Sequence, residues 1–91
     1  MSLPNTYSLN KAYPNPFNSK TSFSYYLPIP SVVSIIIFDI EGKIVKNLTD
    51  GYEAAGEHTV TWDASDVSSG VYYCRMSAGS IALTKAVTLI K

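Results

Sequence analysis

The fold is decided by residues 32–45, which read VVSIIIFDIEGKIV. Every second residue at the start of this stretch is a large aliphatic side chain, at Val33, Ile35 and Ile37. This period of two is typical of a strand that buries one face. Ile36 and Phe38 make the other face apolar too, which favours a central or doubly covered strand. Residues 39–43 then predict a tight hairpin, because Gly42 can adopt a positive φ angle.

Segments of the same period follow one another along the chain, separated by turn residues. They predict strands at residues 21–27, 43–48, 58–62, 71–76 and 81–91, with a seventh strand near residues 7–13. The stretch from Asp50 to Gly56 is predicted to break the chain between two strands. The prolines of residues 28–31 predict a connection that crosses from one sheet to the other. The number, spacing and length of the strands therefore predict an all-β fold, a seven-stranded antiparallel immunoglobulin-like β-sandwich.

The composition bounds the size and the partners of the protein. A chain of 91 residues has room for one small domain. Seven basic residues balance seven acidic ones, and a chain without net charge lacks the long-range field that nucleic acid or an anionic membrane surface would require. A hydrophobic fraction of 46% argues against disorder, and no apolar run approaches the about 20 residues of a spanning helix. We expect no nucleic-acid partner and no transmembrane segment.

Residues 1–7 are interpreted as a leader or linker remnant, and residues 8–91 as the domain. No signal-peptide pattern opens the chain, so any export signal of that kind is expected upstream in a longer parent. The single cysteine, Cys74, cannot form an internal disulfide, so packing alone must hold the domain together.

Spacings typical of catalytic, metal or cofactor sites do not occur in the sequence. His58 shares a predicted strand face with Trp62, so it is interpreted as a structural histidine and not as a catalytic base. Cys74 lies on the apolar face of its strand with Tyr72 and Met76, where a thiol behaves as a small hydrophobic group. We therefore expect neither enzymatic activity nor a cofactor.

Two binding functions remain open at the level of sequence. Acidic residues gather at the predicted turns, where turn chemistry explains them but a calcium ion could also bind. They are Asp39, Glu41, Asp50, Glu53, Asp63 and Asp66. Tyr26, Tyr52 and Tyr73 would form a platform for sugar rings if they point outward, although cross-strand pairing and burial are the favoured explanation.

Four motifs, in order and at matching spacing, resemble the carboxy-terminal sorting domain of the bacterial type IX secretion system. They read YPNPFN at residues 13–18, FDIEGKIV at 38–45, GEHTVTWD at 56–63 and SGVYY at 69–73, followed by the basic and apolar segment KAVTLIK at 85–91. The resemblance runs from about Ser8 to Lys91. It departs from the family pattern at Ser19, where proline is frequent, and at residues 29–30, both outside the motifs.

The same sandwich is also similar to the immunoglobulin-like domain of the flagellar hook-capping protein, which shares the Trp-Asp and Ser-Gly-Val-Tyr signatures. Two features favour the sorting domain, namely the motif at residues 14–18 and the end of the chain at Lys91, both typical of domains that finish a secreted protein. The sorting domain is therefore the first interpretation and the hook-capping domain the second.

The resemblance implies a domain that acts as a label for export of its parent protein and catalyses no reaction. A larger parent, with its cargo domains on the N-terminal side, would pass the periplasm and be recognised by the outer-membrane translocon. A surface sortase would then remove the label while attaching the cargo, so the protein would end at the cell surface or outside the cell. The identity of the cargo and the fate of the label stay open. The alternative is an immunoglobulin-like adhesion or carbohydrate-binding module of a secreted enzyme.

The secretion machinery must recognise the folded surface of such a label. We therefore expect recognition at exposed residues and at an available sheet edge. The terminal strand is the first candidate, with the turn at residues 70–72 and the loop at residues 14–18 beside it. The recognition residues that the resemblance implies are Pro14, Asn15, Pro16, Phe17, Asn18, Gly70, Val71, Tyr72, Lys85, Val87, Leu89 and Lys91. A purely structural role in capping the sandwich or forming the turn explains the loop residues equally well.

Overall fold

The computed structural model describes residues 6–91 and places seven strands in two antiparallel sheets. The strands are β1 (Ser8–Leu9), β2 (Lys20–Leu27), β3 (Ser31–Phe38), β4 (Ile44–Glu53), β5 (Gly56–Asp63), β6 (Gly70–Ala78) and β7 (Ile81–Leu89). One sheet has the order β1-β2-β5 and the other β4-β3-β6-β7, and the described residues contain no helix. The chain crosses between the sheets after β2, β4 and β5. The predicted all-β, seven-stranded antiparallel sandwich is confirmed, as is the crossing at residues 28–31.

β3 lies at the centre of the four-stranded sheet, between β4 and β6. Its predicted inward residues are fully buried, at Val33, Ile35 and Ile37. The hairpin after β3 is closed by Asp39, whose Oδ1 accepts hydrogen bonds from the backbone N–H of Glu41 at 2.9 Å and of Lys43 at 3.0 Å. Gly42 has the positive φ angle, 84°, that the turn requires. The central hairpin predicted from residues 32–45 is therefore confirmed.

β4 is longer than predicted. The sequence placed a break at residues 50–56, but the strand passes Gly51 and ends at Glu53. β3 provides pairing positions as far as its first residue, Ser31, which lies opposite Glu53. Two irregularities in the register of β4 against β3 accommodate the extra residues, and β4 is an edge strand. The true break is confined to residues 54–55.

β7 is shorter than predicted, because it ends at Leu89 and not at Lys91. Its neighbour β6 begins at Gly70, which lies opposite Leu89, so no ladder position remains for the residues that follow. The backbone N–H of Ile90 donates instead to the carbonyl oxygen of Phe17 at 2.8 Å. The chain therefore leaves β6 at its end and contacts the N-terminal loop.

The strand predicted near residues 7–13 is reduced to β1 and an isolated bridge between Tyr13 and Ser22. Ala12 is buried between these two pairing sites, with 6% of its surface exposed. Residues 10–12, between β1 and the bridge, do not belong to a strand. The alternation in the sequence therefore overstated the length of this edge strand.

The division into residues 1–7 and residues 8–91 stays a prediction. Residues 1–5 lie outside the described part of the chain. The hydroxyl oxygen of Tyr7 lies 2.9 Å from Ser31 Oγ, and its ring packs against the core. Tyr7 therefore contacts the domain directly.

Trp62 lies at the centre of the aromatic part of the core, with 1% of its surface exposed. Its ring centroid is 5.4 Å from that of Phe17 and 5.2 Å from that of Tyr72. The predicted inward face of β6 is confirmed, since Tyr72, Cys74 and Met76 are all buried. Burial raises the pKa of the Cys74 thiol to about 12, so the thiol stays protonated and packs as a hydrophobic group.

Candidate functional site

The loop at residues 14–18 pairs with the end of β7. The backbone N–H of Phe17 donates to the carbonyl oxygen of Thr88 at 3.0 Å, and the N–H of Ile90 donates to the carbonyl oxygen of Phe17 at 2.8 Å. These two bonds place Phe17 beside Leu89 in a parallel bridge. The loop thus adds one isolated bridge to the end of β7, at the edge of the four-stranded sheet.

Side chains fix the same loop from three directions. Asn15 Oδ1 accepts a hydrogen bond from the backbone N–H of Thr88 at 3.1 Å, and Thr21 Oγ1 donates to the carbonyl oxygen of Pro14 at 2.7 Å. The Phe17 ring is inserted into the core, with only 3% of its surface exposed. A loop held by its backbone, by polar side chains and by a buried ring has a defined shape before any partner arrives.

The turn that opens β6 joins the end of β7 from the other side. Gly70 pairs with Leu89 and Tyr72 with Val87, in the ladder between β6 and β7. The Tyr72 hydroxyl donates to the carbonyl oxygen of Ser68 at 2.6 Å, which fixes the loop before the turn. The three segments that the sequence analysis selected therefore meet at one end of the sandwich, although they are far apart in sequence.

The end of the chain is attached to the loop between β5 and β6. The backbone N–H of Lys91 donates to Ser69 Oγ at 2.9 Å, and Lys91 Nζ donates to the carbonyl oxygen of Ser65 at 2.8 Å. Ser65 in turn is held by Asp63, whose Oδ1 accepts its backbone N–H at 3.0 Å. The hydrogen bonds from Ser65 keep the pKa of the Asp63 carboxyl below its usual value.

A shallow pocket of about 490 Å³ lies where the loop and the chain end meet. Its lining consists of Pro14, Pro16, Phe17, Asn18 and Ile90. Four of these residues are exposed, and we call Pro14, Pro16, Asn18 and Ile90 the end surface. The end surface combines apolar rings and one aliphatic side chain with a single amide, which is suited to contact with another protein.

The predicted recognition residues divide sharply by burial. Pro14, Asn15, Pro16, Asn18, Val71 and Lys91 are exposed, and Gly70 and Lys85 are partly buried. Four others are buried in the core, at Phe17, Tyr72, Val87 and Leu89. These four side chains offer a partner of the folded domain little or no surface, so their main contribution to recognition is to shape the surface around them.

Ile90 is a surface residue that the sequence analysis missed. It is 54% exposed and lines the pocket beside Pro16. The terminal segment alternates, with Val87 and Leu89 on the inward face, and Ile90 stands on the outward face. A large aliphatic residue at an outward position is a signal that could have identified it.

At the opposite end of the sandwich, His58 belongs to a polar cluster that joins the two sheets. The Tyr25 hydroxyl donates to Glu53 Oε1 at 2.5 Å, and His58 Nδ1 lies 3.5 Å from the same oxygen. His58 Nε2 lies 2.7 Å from the carbonyl oxygen of Ala54, and the His58 ring stacks on Tyr25 at a centroid distance of 5.4 Å. Burial and the neighbouring Glu53 carboxylate raise the pKa of Tyr25 well above its usual value, so its hydroxyl remains a donor. These contacts support the structural interpretation of His58.

Tyr25→Phe is expected to lower the free energy of unfolding by about 1–2 kcal/mol, because it removes a hydrogen bond to a charged carboxylate. Chemical denaturation of the two proteins measures the difference. Tyr26→Phe is the matched control, since the neighbouring hydroxyl makes no side-chain hydrogen bond within residues 6–91 and its loss should change stability by less than about 0.5 kcal/mol. Equal effects of the two substitutions would contradict the role given to the Tyr25 hydroxyl.

The tyrosine platform considered from the sequence is wrong. Tyr26 lies in the three-stranded sheet, whereas Tyr52 and Tyr73 lie in the four-stranded sheet. There Tyr52 pairs with Val32 and Tyr73 with Phe38, at opposite ends of β3 and about 20 Å apart at the usual rise of a strand. The three rings therefore do not share one surface.

Neither the turns nor the strands of the described residues bring three potential metal ligands together. Within residues 6–91 no group of three His, Cys, Asp or Glu side chains is placed to hold a metal ion. The same part of the chain forms no helix that is long and apolar enough to cross a membrane.

The described residues form a small β-sandwich with exposed loops and a sheet edge, and the pocket beside Phe17 is a shallow surface feature. The chain belongs to the family of secretion system C-terminal sorting domains, whose family model matches residues 11–91. This match confirms the resemblance to the type IX sorting domain. No curated protein matches the sequence. A secretion sorting domain is a signal domain, and it implies a larger parent protein that is exported across the cell envelope by the secretion machinery.

Proposed function

We propose that the domain delivers its parent protein to the outer-membrane translocon by presenting the end surface, and that it acts by recognition and not by catalysis. The cargo domains lie on its N-terminal side. After passage through the outer membrane, a surface sortase acts on the domain, and the cargo is released or attached to the cell surface. The periplasm is a stage of transit and the cell surface or the medium is the destination.

The observation that carries this proposal is the meeting of three distant segments at one end of the sandwich, two of which line the pocket. The loop at residues 14–18, the start of β6 and the end of β7 are joined by backbone pairs between Phe17 and Leu89 and between Gly70 and Leu89. Such an arrangement exists only in the folded domain. A receptor that binds it would therefore select sorting domains that have folded. Recognition by a preformed shape avoids the entropic cost of ordering a loop on binding.

The burial pattern favours the end surface, over the buried motif residues, as the part of the domain that contacts the translocon. Val87 and Leu89 are each 1% exposed, and they hold the last strand in place. Pro14, Pro16 and Ile90 are the accessible apolar groups beside that strand. Apolar residues on a pre-shaped patch are the usual centre of a protein–protein contact.

Ile90→Asp is expected to reduce export of a reporter by about tenfold, which corresponds to about 1.4 kcal/mol of lost recognition. A carboxylate placed in an apolar contact loses its hydration and gains no hydrogen bond or opposite charge in return. The test fuses a periplasm-directed fluorescent reporter to the N-terminal side of the 91-residue chain in a host with type IX machinery. Fluorescence at the cell surface and in the medium is compared with periplasmic fluorescence.

Ile29→Asp provides the matched control for this variant. Ile29 is 59% exposed and Ile90 is 54% exposed, so the same change is made at similar accessibility on opposite ends of the sandwich. Ile29→Asp should export like the parent chain. Periplasmic retention of the parent fusion would overturn the proposed function, and equal export of both variants would show that recognition does not involve the end surface.

A further inference from the structure

The outer edge of β7 is long and regular. β7 pairs with β6 over nine consecutive residue pairs without a shift in register, and within residues 6–91 its other side is paired only through the single bridge between Leu89 and Phe17. β4, at the opposite edge of the same sheet, carries two register irregularities. Bulges of this kind protect sheet edges against further pairing. β7 is therefore the edge of this sheet on which another strand could align.

The contacts of Thr88 establish which backbone groups of β7 face away from β6. Its N–H donates to Asn15 and its carbonyl oxygen accepts from Phe17, so both groups point to the free side. Backbone direction alternates along a strand, so the N–H and C=O groups of every second residue point the same way. The free side thus carries the backbone groups of Ala82, Thr84 and Ala86.

The free edge of β7 already forms backbone hydrogen bonds with Phe17, and these bonds occupy only the end of the strand. The bridge joins Phe17 to Leu89, and the hydrogen bonds involve Thr88 and Ile90. β1 lies near β7, but within residues 6–91 no backbone hydrogen bond reaches the free side of residues 82–86. Their outward side chains are exposed and small, and they belong to Ala82, Thr84 and Ala86.

Lys85 gives the open edge a chemical preference. It stands opposite the buried Cys74, on the inward side of β7 with Val87, and is itself partly buried. The ion pair within residues 6–91 joins Glu53 and His58, so no carboxylate of the described chain lies within 4.0 Å of Lys85. Residues 1–5 read MSLPN and contain no acidic side chain either. A lysine without a carboxylate partner at a strand edge favours an acidic neighbour on the next strand, because opposite charges on adjacent strands attract.

We propose that residues 82–86 of β7 bind an extended segment of a protein partner by strand addition, and that this segment places an acidic side chain beside Lys85. Backbone hydrogen bonds to Thr84 and its outward neighbours provide affinity, and the carboxylate fixes the register. The inference rests on the proposed function, because the partner is then a component of the export machinery. It adds the mode of binding and the chemistry of the bound segment.

Thr84→Pro tests the backbone contact, because it removes an outward N–H while leaving the pairing with β6 intact. Reporter export from the fusion described above is expected to fall by about tenfold, as for the loss of one good contact. Thr59→Pro is the matched control. Thr59 is an exposed threonine on the edge strand β5 and lies opposite Ser24. The carbonyl oxygen of Ser24 accepts from Asn10 on the far side of β2, so the N–H of Thr59 points away from β2. Thr59→Pro should export like the parent chain.

Lys85→Glu and Lys85→Arg test the charge and keep the experiment decisive if a proline variant does not fold. Lys85→Glu is expected to lower export by about tenfold, and Lys85→Arg to leave it unchanged. Thermal unfolding of each purified chain establishes which variants are folded. Folded Thr84→Pro exported like the parent would overturn strand addition, as would equal losses for Thr59→Pro and Thr84→Pro.

The two proposals fail in distinguishable ways. Retention of the parent fusion in the periplasm overturns the proposed function and the edge inference together. Export of the parent with normal export of Thr84→Pro and Lys85→Glu overturns only the edge inference. The mass of the purified chain in solution gives a further outcome. A dimer that Thr84→Pro converts to a monomer would identify a second copy as the occupant of the edge and would overturn the machinery component proposed here.

Discussion

Phe17→Ala is expected to lower the free energy of unfolding by about 3–5 kcal/mol, the usual cost of removing a buried aromatic ring. The Phe17 ring is 3% exposed and its centroid lies 5.4 Å from that of Trp62, so the substitution leaves a cavity against the central residue of the aromatic core. Domains of ordinary stability unfold at a cost of about 5–15 kcal/mol, so this is a large part of the total. Phe17 is thus a residue of the core as well as of the loop motif.

Denaturant unfolding of the parent chain, Phe17→Ala and Asn18→Ala measures this effect. Asn18 is the exposed neighbour in the same loop, and its substitution should stay within about 0.5 kcal/mol. An unchanged midpoint for Phe17→Ala would contradict the packing of the ring on Trp62. If the prediction holds, loss of export by Phe17→Ala reports on folding, and only the exposed loop residues can report on recognition.

The alternation of buried residues was the part of the fold that the sequence predicted well. Ile35 and Ile37 on β3 and Cys74 on β6 are each fully buried as expected, because a strand with one face in the core has to place its apolar residues at every second position. The hairpin at Gly42 was predictable for an equally local reason, since the turn needs a positive φ angle there.

The limits of the strands were harder to predict, because they depend on partners far away in the chain. β4 passes Gly51 since β3 still offers it pairing positions, and β7 stops at Leu89 since β6 begins opposite that residue. No local property of either segment contains this information. A turn-forming residue such as glycine marks where a strand could end, and the neighbouring strand determines whether it does.

The structure brings together the segments selected from the sequence and buries four of the residues named in them. The motifs at residues 14–18 and 70–72 and the terminal strand do meet, which one sequence could suggest only through the family resemblance. Burial then separates Val87 from Ile90, although both lie in the same apolar run. A motif contains buried residues that support the surface as well as exposed residues that a partner can contact. The three-dimensional packing is needed to distinguish the two groups.

Deletion of residues 85–91 is expected to unfold the domain. It removes Val87 and Leu89, each 1% exposed, and loss of a buried aliphatic side chain costs about 2–5 kcal/mol. It also removes the β7 pairing positions of residues 70–74 and the hydrogen-bond partners of Phe17. Together these losses approach or exceed the about 5–15 kcal/mol by which a domain is stable.

Circular dichroism and denaturant unfolding of the truncated chain test this expectation, with deletion of Lys91 alone as the control. Lys91 is exposed and its two hydrogen bonds join it to Ser65 and Ser69, so its removal should cost no more than about 1–2 kcal/mol. Cooperative unfolding of the truncated chain at the midpoint of the parent would contradict the structural role of the last strand. If the truncated chain is unfolded, its failure to be exported cannot assign recognition to residues 85–91. That assignment then requires variants that keep Val87 and Leu89 in the core and change only exposed groups, such as Ile90→Asp and Thr84→Pro.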